Sequence, residues 1–320
     1  MKKLIAIGEA LIDFIPHQVN TALKDVESFK GVVGGAPANV AAVFSILGGE
    51  SAIITQLGTD AFGDKIIQKL SEAGVDTSLI SRTDEANTSL AFVSLQSDGG
   101  REFSFYRKPA ADMLLKPDAV LEEYFNNIFG LHFCAISIGD YPMKQAHKRA
   151  IQHTHAKGAI VSFDPNLRKP LWNDDAALKK AVWEFIPSAH ILKISDDEIE
   201  FITGCTGMQA ANEKLFTGEV QMVIYTKGAD GAEVFTKNAH AASPGRRVKA
   251  IDTTGAGDAF IGSFLYLLAK KDCTPASLNQ LTTAELRELL DFSNAYSARS
   301  VQVNGAIDSY VSYEEIAKEL

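Results

Sequence analysis

Short apolar runs recur along the chain at residues 4–7, 52–56, 132–137, 160–164, 191–194 and 223–226. They lack the strict in–out alternation of a half-wetted sheet, which predicts parallel strands buried on both faces. Between them, residues 62–73, 143–157 and 176–185 carry apolar positions at helical spacing. Strands and helices alternating in this order predict a doubly wound α/β domain.

Two places break that rhythm. Residues 88–95 and 101–107 read as strands joined by Ser97-Asp98-Gly99-Gly100, a strong hairpin signal. Residues 13–29 read as extended chain directly after the first strand. Together, about 13–30 and 88–112 predict a small β-lid projecting from the main sheet. No Pro-, Ser- or Gly-rich linker divides the chain and no internal repeat is present, so residues 1–320 are expected to form one domain.

Composition narrows the function classes. A formal net charge of −9 over 320 residues argues against broad nucleic-acid backbone binding. No run of 18 apolar residues is found, and Met1-Lys2-Lys3 precedes too short an apolar run for a signal peptide. Cys134, Cys205 and Cys273 are odd in number and far apart, as expected for a reducing cytoplasm. His153 and His155 fall in a predicted helix and read as surface residues rather than metal ligands.

The most informative stretch is Asp252-Thr253-Thr254-Gly255-Ala256-Gly257-Asp258, read as following a strand and opening a helix that carries Phe260, Phe264, Leu267 and Leu268. Small residues at a helix start let backbone amides face open space, where the positive end of the helix dipole favours an anion. Asp258 then sits in the first turn, placed to accept a proton from an attacking hydroxyl beside a bound phosphate. The same spacing is compatible with a plain tight turn whose aspartate stabilises the helix start. No GxxxxGK[ST] pattern is present, which disfavours a Walker-type nucleotidase. A second glycine turn, Gly34-Gly35-Ala36-Pro37-Ala38-Asn39, also leads into a helix, and its spacing is wrong for a dinucleotide fingerprint. Gly34 and Gly35 permit close backbone approach, and Asn39 offers a donor and an acceptor to a polyol. A plain strand–turn–helix junction accounts for that turn equally well when it is taken alone.

Residues 252–258 resemble the C-terminal signature of ribokinase-like PfkB sugar kinases, and residues 34–63 resemble the N-terminal signature of the same family. The resemblance spans nearly the whole chain. It implies a three-layer α/β/α fold with a mainly parallel sheet and a β-lid. It also implies that Gly255, Ala256 and Gly257 form an anion hole while Asp258 is the general base. Asp13, Gly34, Gly35 and Asn39 are implied sugar ligands. Strand alternation adds Phe103, Phe105 and Arg107 on one lid face, offering apolar cover and one cation over the pocket.

The passages 101–115 and 164–172 are similar to bacterial and plant fructokinases, which makes fructose the expected acceptor. Arg168 in the second passage suits phosphate oxygens, and a surface salt bridge is its alternative. For ATP, the resemblance points to Ser195, the turn Thr226-Lys227-Gly228 with Gly231, Gly257, and Asn294 near the adenine. Ser195 stands where the family often has asparagine, while Glu198 is retained as a water-mediated Mg²⁺ contact. A potassium site is implied at Asp252, Thr254, Ser300, Val303, Gly305 and Ser309. Lids of this family often pair, so a homodimer is expected. Other acceptors (2-keto-3-deoxygluconate, ribose, a nucleoside, aminoimidazole riboside) stay open, as does a non-catalytic sugar sensor that keeps the fold.

Overall fold

The computed structural model describes residues 1–95, 101–172 and 174–319. In chain order the elements begin with β1 (Lys3–Ile7), β2 (Leu11–Pro16), β3 (Phe29–Gly34), α1 (Ala36–Ile46), β4 (Ser51–Gly58), α2 (Ala61–Glu72), β5 (Val75–Asp76), β6 (Ile80–Thr83), β7 (Leu90–Leu95) and β8 (Arg101–Tyr106). They continue with β9 (Ile128–Cys134), α3 (Pro142–Ala156), β10 (Ile160–Asp164), α4 (Asp175–Phe185), β11 (Ile191–Ser195), α5 (Asp196–Thr203), α6 (Met208–Leu215), β12 (Met222–Thr226), β13 (Ala232–Thr236) and β14 (His240–Ser243). The chain closes with α7 (Ala256–Lys270), α8 (Thr283–Ser300), α9 (Ala306–Ser309) and α10 (Tyr313–Ala317).

The expected central sheet is present, ordered β14-β13-β12-β11-β10-β9-β1-β4-β5, with β6 also pairing β4. Strands β12 to β9, β1 and β4 are parallel, and β13 and β14 are antiparallel at one edge. The apolar runs lack alternation because helices cover both faces. One face is packed by α1, α7 and α8 through Phe44, Phe264 and Tyr296. The other is packed by α3, α4, α5 and α6, with Phe133 and Phe163 stacked 4.6 Å apart.

After β1 the chain first builds to one side, through β4, and then returns to the other through β9. Their carboxyl ends therefore flank a switch point, where open α/β sheets form their ligand crevice. The expected lid is a separate sheet, β3-β2-β7-β8, which hangs over that crevice. The hairpin turn at 97–100 lies outside the described residues. Residues 13–29 are not one extended segment: β2 and β3 are separated by a short 3-10 turn at Leu23–Asp25. The run expected as a strand over 132–137 ends early, because the chain turns into a 3-10 helix at Ala135–Ser137. No strand leads into the 252–258 motif; residues 244–255 are irregular chain rising from β14 to α7.

Two helices that start at the two glycine turns, α1 and α7, touch over much of their length. Gly262 on α7 makes this approach possible, since a Cβ there would come within 2.7 Å of Val43 Cβ and 3.3 Å of Val40 O on α1. Both valines are fully buried and cannot move aside. Replacing Gly262 with Val is expected to cost about 2 kcal/mol of folding stability through overpacking. Urea unfolding measures this, and an unchanged midpoint would contradict the packing described.

Candidate active site

The two glycine turns meet at one carboxylate. Gly255, with φ +76°, caps α7 in the left-handed region, and a Cβ on it would strike Tyr310 Oη and the Ala306 side chain. Its carbonyl accepts hydrogen bonds from Tyr310 Oη at 3.1 Å and from Ala259 N at 2.7 Å. The first-turn amides that follow have no partner further back in the helix. Ala256 N donates to Thr253 O at 3.3 Å, which leaves the turn open toward the crevice. On the other side, Gly35 (φ +105°) starts α1, where a Cβ would lie 2.5 Å from Glu9 O. Asn39, one turn into α1, donates its amide to Asp258 Oδ2 at 2.7 Å.

Asp258 is almost fully buried. Burial lifts its pKa to about 6; the Asn39 amide opposes that rise, Asp164 adds to it, and Arg168 and Lys193 draw it down. Asn166 Nδ2 reaches Asp258 Oδ1 at 3.5 Å. The result is a carboxylate poised to take a proton near neutral pH.

Two cavities converge on this point. One, of about 460 Å³, lies under the lid and is lined by Asp13, Ile15, Gly35, Asn39, Phe105 and Asp258 among others. The second, of about 730 Å³, runs past the carboxyl ends of β11 and β12 and is lined by Ser195, Glu198, Thr226, Gly228, Gly231 and Asn294 among others. Asn166, Arg168, Lys193, Thr253, Ala256 and Gly257 belong to both. Two cavities that share the Ala256–Gly257 turn, with the carboxylate of Asp258 lining the smaller one beside that turn, form the geometry of group transfer between two bound molecules.

Most of the residues singled out from sequence are brought together here, and several are not. Gly34 faces Asp13 rather than the cavity, and a Cβ on it would sit 2.3 Å from Asp13 Oδ2. Arg107 does not supply a cation over the pocket. The strand ends at Tyr106, and the guanidinium turns inward to bond Asp112, with Ser137 Oγ at 3.3 Å and Ile136 O at 3.4 Å. Glu9, whose own pKa burial raises and Arg107 lowers, lies in the same network. Phe105 does line the cavity; the side chain of Phe103 lies outside the described residues.

Lys227 is drawn away from the larger cavity by Glu233, at 2.8 Å. Asn294 lines that cavity, but its amide is spent on Ser243 Oγ at 2.9 Å and so holds the adjoining loop. Both oxygens of Glu198 accept backbone amides, from Leu167 at 2.7 Å and Ser195 at 3.0 Å, in a capping box at the start of α5. Asp252 likewise ties Thr254 N and Gly305 N, each at 2.9 Å. The hydroxyls of Ser300 and Ser309 bond carbonyls of their own helices, and the Val303 side chain is exposed. His155 is bound to Ser188 O, and the His153 ring packs against Phe125.

Sequence reasoning missed Lys193, Asp164 and Asn166 as site residues. The signal was available for Lys193: a charged residue inside the apolar run Ile191-Leu192-Lys193-Ile194 survives burial only when paired.

The comparisons with known proteins agree with this geometry. Residues 1–312 match the family model described as pfkB family carbohydrate kinase. The chain belongs to this family. Among relatives of known function it is 37% identical to fructokinase-1 of Zea mays over 314 residues, covering 98% of this chain and 96% of that protein. A Xylella fastidiosa fructokinase solved with bound ATP superposes with a TM-score of 0.91 at 33% identity, covering 99% of this chain and 97% of that one. A Vibrio cholerae fructokinase solved with fructose, ADP and calcium ion gives 0.85 at 31% identity, covering 99% and 98%. The ribokinase-like architecture of this carbohydrate kinase thus carries its two signatures at the place where the two cavities meet.

The raised pKa of Asp258 has a consequence for stability. Its folded value, about 6, lies above the ordinary 3.8, so the fold binds the proton more tightly than the unfolded chain does. Its ionisation therefore costs stability progressively from about pH 4 to 6, and the full cost remains above that. Asp258→Asn is expected to raise the thermal midpoint by a few degrees at pH 8, and this gain should vanish by pH 4. Midpoints of both proteins across that range test it; a gain independent of pH would contradict the buried, elevated carboxyl.

Proposed function

We propose that this carbohydrate kinase transfers the γ-phosphoryl group of ATP to the primary hydroxyl of fructose, giving fructose 6-phosphate. The observation that carries the reading is the position of Asp258, a buried carboxylate of raised pKa that lines the cavity under the lid next to Gly257, which lines both cavities. The fructokinase relatives support the choice of sugar and nucleotide.

In this account the sugar occupies the cavity under the lid. Asp13 accepts from its hydroxyls as a charged partner. Asn39 donates one amide hydrogen to Asp258, while its buried Oδ1 has no hydrogen-bond partner among the described residues. An orphaned buried acceptor is costly, and a polyol hydroxyl would satisfy it. Phe105 and Ile15 cover the apolar side, and lid closure excludes water that would otherwise accept the phosphoryl group.

Nucleotide fits the larger cavity, with its phosphates directed at the first turn of α7. Asp258 takes the proton of the sugar hydroxyl as its oxygen attacks phosphorus, and the Gly255–Gly257 amides stabilise the charge that develops. Arg168 lines both cavities and suits the phosphate oxygens. Asp196, Asp197 and Glu198 border the nucleotide cavity, and no cluster of three ligating side chains forms among the described residues. Such a donor set fits magnesium that keeps its waters, and the bound ion would neutralise phosphate charge. We extend the reading to potassium, because Asp252 fixes Thr254 and Gly305 beside the anion turn.

A panel assay of ADP release tests this, with fructose, ribose, 2-keto-3-deoxygluconate, adenosine and aminoimidazole riboside as acceptors. Turnover is expected on fructose, greater in K⁺ than in Na⁺, and lower by about 10³-fold or more in Asp258→Asn with ATP binding retained. Preference for another acceptor would overturn the choice of sugar, and wild-type turnover in the variant would overturn the role of Asp258.

A homodimer through the lid belongs to the same proposal. The lid face away from the cavity carries Phe14 stacked on Phe92 at 4.7 Å, with Tyr106 beside them 64% exposed. Light scattering is expected to give twice the chain mass, and Tyr106→Asp to shift it toward the monomer. A wild-type monomer would end this part of the account.

A further inference from the structure

So far Lys193 has entered only as a charge that lowers the pKa of Asp258, and its placement is unusual. It stands at the middle of β11, flanked by the fully buried Leu192 and Ile194, and is only 6% exposed. Its Nζ lies 2.7 Å from Asp164 Oδ2, and Asp164 is still more buried. Pairing explains how a lysine survives there, but buried ion pairs add little net stability over apolar residues of similar size. What the pairing leaves unexplained is direction. A Cβ placed on Gly257 would lie 3.5 Å from Nζ, so the ammonium sits beside the first turn of α7. Lys193 also lines both cavities. Burial alone would push its pKa down, yet Asp164, Glu198 and Asp258 hold it raised, so the side chain remains a cation.

We propose that Lys193 is a further catalytic residue: it binds the transferring phosphoryl group as that group passes from the nucleotide cavity to the sugar cavity. The inference rests on the kinase reading above. An ammonium has three donors. One stays on Asp164, which fixes the head, and the others face the oxygens of the phosphoryl group. In the step, the bond from the sugar oxygen to phosphorus forms while the bond from phosphorus to the β–γ bridging oxygen breaks. That oxygen leaves on ADP with the electron pair, and the sugar proton goes to Asp258. Lys193 gives up no proton. It supplies positive charge beside the α7 amides, in a site where burial strengthens the attraction. Asp164 is then a positioning residue, acting through Lys193.

Steady-state kinetics and thermal midpoints of the wild type, Lys193→Gln, Lys193→Arg and the double variant Asp164→Asn/Lys193→Gln test this. The single Gln variant strands a buried carboxylate and is expected to lose stability. The double variant removes both charges and is expected to melt within a few degrees of wild type. Its kcat is nevertheless expected to stay down by about 100-fold, with KM for ATP and fructose changed less than about threefold. Lys193→Arg is expected to recover at least about tenfold of that loss.

A double variant that folds and keeps kcat within about tenfold of wild type would reduce the pair to a structural contact. So would a double variant that fails to fold, since the proposal holds the pair dispensable for folding. Wild-type protein that phosphorylates a different sugar overturns only the fructose reading, and the same comparison is then made on that sugar. Wild-type protein with no phosphotransfer overturns the kinase reading and this assignment together.

Discussion

A single hydrogen bond, from Asn39 Nδ2 to Asp258 Oδ2 at 2.7 Å, joins positions 219 residues apart and holds the two glycine turns in register. It forms only because α1 and α7 lie in close contact, which Gly262 permits by leaving room for Val43. The contact brings two helix N-termini and one buried carboxylate to the same point in the crevice. Burial raises the pKa of Asp258, and Asp164 adds to that rise. The Asn39 amide and the nearby cations pull it back to about 6. Packing between two helices thus sets the proton affinity of the candidate base.

Charge around that base is arranged in layers. Asp258 and Asp164 are both buried and would repel each other across the junction, and Lys193 stands beside both. A separate network of Arg107, Asp112, Ser137 and Glu9 neutralises charge where the lid meets the main sheet. The lid thus carries polar groups at its root while Asp13, Ile15 and Phe105 line the cavity. The arrangement keeps Arg107 at the root of the cover, apart from the cations beside Asp258.

Much of this was legible in the chain itself. Buried parallel strands announce themselves as apolar runs, and the helices between them fall within a residue or two of their expected limits. Each glycine turn taken alone is compatible with a plain helix start, and it was the two together, in that order, that pointed to one site. Side-chain direction was harder to read. Alternation placed Arg107 on the cavity face, but the strand stops one residue earlier and the buried carboxylate of Asp112 claims the guanidinium. Lys227 was drawn away by Glu233, and Asn294 lines the larger cavity with its amide held by Ser243, partners that no local pattern reveals. Glu198 proved to be half of a capping box, although the pattern Ser195-x-x-Glu198 was in view. Lys193 and Asp164 come from different strands, and their pairing exists only once β10 and β11 lie side by side.

The central claim is that a sugar hydroxyl and the terminal phosphate of ATP meet at Asp258 across the shared wall of two cavities. A crystal structure with fructose and a non-hydrolysable ATP analogue tests it most directly. The account predicts the primary hydroxyl within hydrogen-bonding distance of Asp258, with the γ-phosphate at the first turn of α7 and in line with that hydroxyl. Fructose or nucleotide bound with its reacting atoms away from Asp258 would contradict it.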